Sequence, residues 1–294
     1  MTTRRLRARS FAKINMALSV LGRRADGYHD IQTVFQSISL HDEIEFRPSS
    51  RLELSCENLR GVPREENLVW RAAEALAARL PEKRGASITL RKNIPAGAGL
   101  GGGSSNAAVT LLGLCRLWNV VEDMDLHAVA SVLGSDVPFF LRGGTALGTG
   151  RGEQILPWPD LPSGHLVVIF PGINVSTTEA YRSLNLGLTS GREDHRIQGF
   201  YGQAKQGKSC LSGIFNDFEA SILPAYPPIL EAKSFLEERG STATLLSGSG
   251  SSVFGFFPDE ESAFAVAREN TRVTWRVFPA KTLSRAEYFQ NMFG

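Results

Sequence analysis

The residues with the clearest potential for chemistry lie in one glycine-rich segment. Five of the seven positions from 97 to 103 are glycine, with a strand pattern before them and a helical pattern directly after. Glycine lets the backbone reach positive φ and approach a ligand closely, and a helix N-terminus presents free N–H groups to an anion. The segment is therefore predicted to bind the phosphates of a nucleotide. Its members are Pro95, Ala96, Gly97, Ala98, Gly99, Leu100, Gly101, Gly102, Gly103, Ser104 and Ser105.

Three other kinds of glycine-rich segment match parts of this pattern. A flexible linker is disfavoured because linkers seldom join a strand to an amphipathic helix. Gly97, Gly99 and Gly102 match the G-x-G-x-x-G pattern of a nicotinamide-dinucleotide site. Glu122 and Asp123 follow about 20 residues later, but no strand pattern is present to carry them. No Gly-Lys-Ser or Gly-Lys-Thr closes the segment as in a Walker A loop, so a lysine for the terminal phosphates must come from elsewhere.

Two polar residues and one acid are candidates to complete such a site. Lys13 and Asn15 share one face of a predicted strand over residues 10–20, whose other face is mainly apolar. A lysine on a strand is commonly a solvated surface residue, so spacing alone leaves the role of Lys13 open. Asp136 lies between a glycine turn and a predicted helix start, where a simple helix cap is equally consistent.

Three motifs together resemble the GHMP kinases, named for galactokinase and the homoserine, mevalonate and phosphomevalonate kinases. The glycine-rich segment resembles their P-x-x-x-G-L-G-[GS]-S-[SN]-A signature, and residues Leu246 to Phe254 resemble their third motif. Ala12-Lys-Ile-Asn15, together with Arg24-Ala-Asp-Gly-Tyr-His29, is similar to one branch of that family. These motifs are distributed over nearly the whole chain.

The resemblance implies a two-domain α+β fold. A strand-rich, ATP-binding N-terminal domain would span residues 1–158, and a substrate-binding α+β sandwich would span residues 159–294. Prolines at 157, 159 and 162 mark this predicted boundary. The implied reaction uses ATP and Mg²⁺ to phosphorylate the 2-hydroxyl of 4-diphosphocytidyl-2-C-methyl-D-erythritol in the non-mevalonate isoprenoid pathway. The alternatives are a related kinase for mevalonate or a sugar, a nicotinamide-dependent oxidoreductase and a non-catalytic nucleotide sensor.

The resemblance also implies roles at the reacting hydroxyl. Lys13 would lie beside it and stabilise the negative charge that develops during transfer. Asp136 would accept the hydroxyl proton or act as an electrostatic anchor. Asn15, on the same strand face as Lys13, would orient the substrate.

A second group of residues is implied for the nucleobase. Tyr28 and His29 would ordinarily close a turn, but within this motif His29 would hydrogen-bond the cytosine edge while Tyr28 stacks on its ring. Tyr181 is the candidate for the opposite face of the base. In the third motif, Gly248 and Gly250 would bring the backbone of the second domain close to the cleft, although a plain hairpin turn is the alternative.

Composition narrows the range of partners and locations. Lys and Arg number 32 against 30 Asp and Glu, and a net charge of +2 gives no electrostatic reason to expect nucleic acid or a membrane surface. Cys56, Cys115 and Cys210 lack the spacing of a disulfide framework or zinc site. No run of about 18 apolar residues and no signal-peptide cleavage site occurs. We therefore predict a cytoplasmic enzyme with a small-molecule substrate, and its oligomeric state stays open.

Periodicity predicts the elements that position these residues. Residues 190–213 show no clear pattern and are predicted to form a polar loop. Strands are predicted over residues 10–20, 31–40, 42–46, 87–90, 165–170, 242–246, 252–257 and 272–278. Helices are predicted over residues 67–80, 104–118, 125–133, 178–184, 228–239 and 260–270.

Overall fold

The computed structural model describes residues 5–58, 61–120, 125–184, 194–208 and 210–293. Its strands are β1 (Leu6–Arg23), β2 (His29–Ser49), β3 (Leu52–Glu57), β4 (Gly85–Arg91), β5 (Thr145–Thr149), β6 (Gln154–Pro157), β7 (His165–Phe170), β8 (Phe215–Asn216), β9 (Ala243–Leu246), β10 (Val253–Phe257) and β11 (Arg276–Lys281). Its helices are α1 (Leu68–Ala77), α2 (Gly102–Trp118), α3 (Leu126–Leu133), α4 (Val137–Phe140), α5 (Thr177–Ser183), α6 (His195–Lys205), α7 (Glu219–Ala225), α8 (Pro227–Glu238), α9 (Glu260–Arg268) and α10 (Arg285–Met292).

Two sheets pack against each other between two layers of helices. The first sheet has the order β3-β4-β2-β1-β8, and the long strand β2 also pairs with β5, which pairs with β6. The second sheet is antiparallel, with the order β11-β7-β10-β9. One core packs α1 to α4 and α10 on the first sheet, another lies between the sheets, and a third packs α5 and α7 to α9 on the second sheet. This architecture confirms the predicted α+β fold.

Strand β1 is buried on both faces, which explains its long apolar sequence. Ile14 and Met16 belong to the core between the sheets, whereas Phe11 belongs to the core under the helices. Lys13 and Asn15 point to the helix side, and the Lys13 Nζ lies 2.7 Å from the Asn15 Oδ1. The predicted sharing of one strand face by these two residues is therefore confirmed.

Local capping explains where several predicted helices begin. The side chain of Asn67 accepts a hydrogen bond from the Val69 N–H, and that of Asp125 accepts one from the Ala128 N–H. Helix α2 begins two residues earlier than predicted, because its N-cap residue is Gly101 in the left-handed conformation. None of the helices in the described part of the chain is long and apolar enough to cross a membrane.

The prediction of a polar loop over residues 190–213 is wrong, because it contains helix α6. Ile197, Phe200 and Ala204 lie at helical spacing on the buried side of α6 and pack into the core between the sheets. Asp194 caps the helix by accepting a hydrogen bond from the Arg196 N–H. Glycines within α6 and its polar exposed side obscured the pattern, since glycine lowers helix propensity. Residues 190–193 and 209 lie outside the described part of the chain.

The C-terminal elements also differ from the prediction. The last strand runs from Arg276 to Lys281 rather than over 272–278, and it contains Pro279. Because β11 is an edge strand, the missing N–H of this proline can face away from the sheet. Helix α10 was not predicted, although Ser284 and Glu287 form a capping box that signals its start. Strands β3, β5, β6 and β8 and helix α7 were not predicted either.

Candidate active site

The glycine-rich loop connects β4 to α2, as predicted. Gly97, Gly99 and Gly101 have φ values of 66°, 77° and 68°, which side chains other than glycine rarely adopt. A Cβ atom on Gly99 would lie 2.1 Å from the backbone oxygen of Ser247, and one on Gly101 would lie 2.8 Å from the Phe140 ring. Glycine is therefore required by both the backbone conformation and the close packing of the loop.

The dinucleotide alternative does not fit this topology. A dinucleotide fold needs a parallel strand after the helix that follows the glycines. Here the described chain continues from α2 to helix α3, and the next strand, β5, pairs antiparallel with β2. Glu122 and Asp123, which that alternative required, lie outside the described residues.

A second glycine loop, residues 247–252 between β9 and β10, lies directly against the first. The Ser247 hydroxyl donates a hydrogen bond to the Gly99 oxygen at 2.9 Å, and the Ser252 N–H donates one to the Ala98 oxygen at 3.1 Å. The segment is a hairpin connection, because Val253 pairs with Leu246. The same segment also brings the backbone of the second sheet into contact with the glycine-rich loop. The hairpin interpretation and the interpretation as a close backbone approach are therefore both correct.

Lys13 is only 3% exposed, which rules out a solvated surface lysine. Its Nζ donates a hydrogen bond to the Asn15 Oδ1 at 2.7 Å and lies 3.5 Å from the Asp136 Oδ2. The Asn15 Nδ2 donates to the Thr33 hydroxyl, which donates to the Ala17 oxygen, so the amide oxygen of Asn15 must face Lys13. Burial lowers the pKa of Lys13, and the nearby carboxylate of Asp136 partly opposes this shift.

Asp136 lies at the N-cap position of α4 but makes no capping hydrogen bond with its side chain. Its carboxylate is instead turned toward Lys13 and remains 32% exposed. The helix-cap interpretation is therefore wrong for this side chain. A partly solvated carboxylate beside a buried ammonium group can accept a proton from a neighbouring hydroxyl.

A cavity of about 750 Å³ opens in front of this pair and lies within the size range of small-molecule sites. Both glycine loops, β1, β2, α5 and the turn between β5 and β6 contribute to its wall. The charged residues that line it, among those the structure describes, are Lys13, Arg23, Arg151, Arg182 and Asp136. Four cations against one carboxylate favour ligands that carry phosphate groups. Arg151 was missed by sequence reasoning, because no motif surrounds it.

Three aromatic residues implied for the nucleobase lie at this cavity. His29 stacks on Tyr181 with ring centroids 4.6 Å apart and an interplanar angle of 13°. Burial, together with the charge of Arg23, lowers the pKa of His29, so the ring is neutral near pH 7. Tyr28 is 56% exposed, and the guanidinium carbon of Arg151 lies 4.8 Å from its ring centroid. The expected rings are brought together, and their roles toward a base stay predictions.

A buried polar network underneath the glycine-rich loop was also not predicted from the sequence. One oxygen of Asp42 accepts hydrogen bonds from the N–H groups of residues 93 and 94, at 2.6 and 2.7 Å. Its other oxygen pairs with the Lys92 ammonium and accepts a 2.9 Å hydrogen bond from Asn106 on α2. Asp42 is fully buried and Lys92 nearly so. This network connects β2, the start of the loop and the first turns of α2.

Among the residues that the structure describes, no three or more His, Cys, Asp or Glu side chains form a group that could hold a metal ion. The free N–H groups at the start of α2 and the positive-φ glycines suit a nucleotide phosphate chain.

Known proteins resemble this chain over most of its length. The family model described as GHMP kinases N terminal domain matches residues 67–144, and the model GHMP kinases C terminal matches residues 205–273. The 4-diphosphocytidyl-2-C-methyl-D-erythritol kinase of Syntrophus aciditrophicus (strain SB) is 41% identical over 285 residues, which cover 95% of this chain and 99% of that protein.

Solved structures show the same similarity. A crystal structure of 4-(cytidine 5'-diphospho)-2C-methyl-D-erythritol kinase has a TM-score of 0.79 and 34% identity, covering 94% of this chain and 99% of that one. The homoserine kinase from Cytophaga hutchinsonii, with a TM-score of 0.69 and 18% identity, covers 97% of this chain and 96% of its own, and it shares the fold.

Proposed function

The chain belongs to the GHMP kinase family and is a phosphotransferase. We propose that it phosphorylates the 2-hydroxyl of 4-diphosphocytidyl-2-C-methyl-D-erythritol with ATP. The observation that carries this proposal is the pairing of Lys13 with Asp136, 3.5 Å apart at the wall of the cavity. The glycine loops line the same cavity, as do His29 and Tyr181. This arrangement supports a site in which the reacting hydroxyl would lie between a nucleotide and a nucleobase.

The nucleotide phosphates would bind at the glycine loop and at the N-terminus of α2. Gly97, Gly99 and Gly101 line the cavity and carry no side chain, so phosphate oxygens could approach the loop backbone closely. Mg²⁺ would arrive with ATP, held by the phosphate oxygens and water, and would supply charge neutralisation. Asp136 is the one acid that lines the cavity among the described residues, and it faces Lys13, so the ion would bind mainly through the nucleotide.

Lys13 and Asp136 would act on the hydroxyl from neighbouring positions. The carboxylate of Asp136 would accept the hydroxyl proton as the oxygen attacks the γ-phosphorus and the bond to the β-phosphate oxygen breaks. The ammonium group of Lys13 would stabilise the charge on the transferring group, and its burial makes this interaction stronger than it would be in water. Asn15 holds Lys13 in place by a 2.7 Å hydrogen bond.

The opposite end of the cavity would bind the cytidine diphosphate. His29, Tyr28 and Tyr181 offer aromatic surface for the base, and stacking on such rings contributes about 1–3 kcal/mol per base. A neutral His29 can both donate and accept a hydrogen bond, as the edge of cytosine requires. Arg151 and Arg182 line the same cavity and would balance the charge of the diphosphate.

The domain division at residues 158 and 159 and the cytoplasmic location also remain proposals. The two family models match on either side of that boundary. However, β8 pairs with β1, and α10 packs into the core of the first sheet, so segments of the second half complete the first. Free thiols at Cys56, Cys115 and Cys210 are consistent with a reducing compartment.

The direct test is a coupled assay of ADP release with ATP and Mg²⁺. Turnover is expected with 4-diphosphocytidyl-2-C-methyl-D-erythritol and not with mevalonate, homoserine or water. Turnover with mevalonate alone would keep the kinase fold but overturn the proposed substrate. A folded protein that binds ATP and turns over none of these alcohols would support a non-catalytic nucleotide sensor.

The base pocket is tested separately by binding of cytidine diphosphate. His29→Ala is expected to raise the Kd for cytidine diphosphate about 10-fold or more. The substitution removes a ring that stacks on Tyr181 and a hydrogen-bonding partner for the base. Isothermal titration in the absence of ATP measures this effect. His127→Ala on α3 is a matched control remote from the cavity lining and should leave Kd unchanged. Equal affinity of wild type and His29→Ala would place the base elsewhere.

A further inference from the structure

Helix α4, which carries Asp136 at its start, is too short to hold its own position. It contains four residues, and a single turn is not stable without tertiary contacts. The side chain of Asp136 is turned to Lys13 and makes no capping hydrogen bond that would secure the first turn. The location of this carboxylate must therefore be set by contacts that other elements make with α4.

The C-terminal helix supplies such a contact through Tyr288. This side chain is completely buried, and its hydroxyl donates a 2.7 Å hydrogen bond to the backbone oxygen of Phe140, the last residue of α4. The final carbonyl groups of a helix lack partners within the helix, so the hydroxyl acts as a cap from outside. The Tyr288 ring also fills the space beside Gly143, where a Cβ atom would lie 2.2 Å from it. Burial raises the pKa of Tyr288, which keeps the hydroxyl protonated as a donor.

The residues of α4 also contact the groups around the reacting centre. The Phe140 ring lies 2.8 Å from the position that a Cβ atom of Gly101 would occupy, and the Lys13 side chain lies 3.1 Å from that same point. The Phe139 ring packs on Phe35 at a centroid distance of 4.9 Å, and the Lys13 Nζ lies 5.4 Å from the Phe35 ring centroid. A shift of α4 would therefore change the distance between Lys13 and Asp136.

We propose that Tyr288 is a positioning residue for phosphoryl transfer, which holds α4 at its C-terminal end so that Asp136 stays beside Lys13. This inference rests on the proposed kinase function and adds the C-terminal helix to the machinery of the site. It gives α10 a role in the site although α10 is distant in sequence from Lys13 and Asp136.

The test is Tyr288→Phe, which keeps the buried ring and removes only the hydroxyl. We expect kcat to fall about 5- to 10-fold, the loss that one hydrogen bond corresponds to, while KM for ATP and for the alcohol stay within about twofold. In an Asp136→Asn background, whose residual turnover is followed over hours, Tyr288→Phe should cause no further loss. A merely structural role would reduce activity in both backgrounds.

Two controls separate positioning from stability. Ser284→Ala removes the capping box of α10 but leaves the Tyr288 hydroxyl in place, so it should lower the Tm by about 2 °C without changing kcat. Tyr201→Phe removes the hydroxyl of an exposed tyrosine and should change neither. A wild-type kcat in Tyr288→Phe would overturn the proposal. It would also be overturned if Tyr288→Phe and Ser284→Ala both lost kcat in proportion to their loss of Tm.

If the proposed function is wrong, the result differs from a failure of the Tyr288 proposal. In that case the wild type itself would not turn over the cytidine-linked substrate, and the comparison would be made with whichever alcohol it does phosphorylate.

Discussion

Replacing Lys13 by methionine is expected to lower kcat by about 10²- to 10³-fold, the effect of removing one preorganised donor to developing charge. The stability should nevertheless stay within about 1–2 kcal/mol of the wild type, because the loss of the hydrogen bond to the Asn15 Oδ1 is offset by removal of a buried charge. Burial lowers the pKa of Lys13, which means that its charged form is disfavoured in the folded state. Methionine fills a similar volume without that cost, and Asp136 is exposed enough to be hydrated once its partner is gone.

Steady-state kinetics and thermal unfolding of the same preparations measure both effects. Between the lowered pKa of Lys13 and 10.5, the unfolded chain binds a proton that the native state does not. The stability of the wild type relative to Lys13→Met should therefore rise with pH in that window. Lys205→Met on the exposed side of α6 is the control and should preserve kcat. A variant with wild-type kcat would remove Lys13 from the reaction.

Replacing Asp42 by alanine is expected to lower the free energy of unfolding by about 3–5 kcal/mol, the usual cost of breaking a buried ion pair. The ammonium group of Lys92 would remain buried without a counter-charge. The N–H groups of residues 93 and 94 and the amide of Asn106 would also lose their acceptor. Because these groups anchor the glycine loop, the Kd for ATP should rise as well.

Denaturant unfolding measures the loss, and two further variants identify its cause. The double variant Asp42→Ala with Lys92→Met should be more stable than Asp42→Ala alone, since it leaves no unpaired charge. Glu53→Ala disrupts the exposed pair with Arg51 and should cost no more than about 1 kcal/mol. An Asp42→Ala protein within about 1 kcal/mol of the wild type would show that the network does not support the fold.

The local features of this protein can be predicted from its amino-acid sequence. Glycines at positions 97–103 predicted a tight strand-to-helix connection, and Gly97, Gly99 and Gly101 adopt the positive φ that this connection needs. Asn67 and Asp125 marked two helix starts through interactions within three residues. Such features are predictable because backbone sterics and capping depend on a few neighbouring residues. The motifs also indicated the family, since each one is a short local pattern.

The contacts between residues that are distant in the chain are visible only in the folded protein. The spacing alone left the role of Lys13 open, and only the folded chain shows its burial and its distance of 3.5 Å from Asp136. The pairing of Asp42 with Lys92 and the hydrogen bond from Tyr288 to α4 join elements that are distant in the chain. Burial, pKa shifts and such contacts arise from how whole elements pack, and no short stretch of sequence encodes them. Short motifs therefore reveal which residue types the site contains, whereas the packing of distant elements sets their positions.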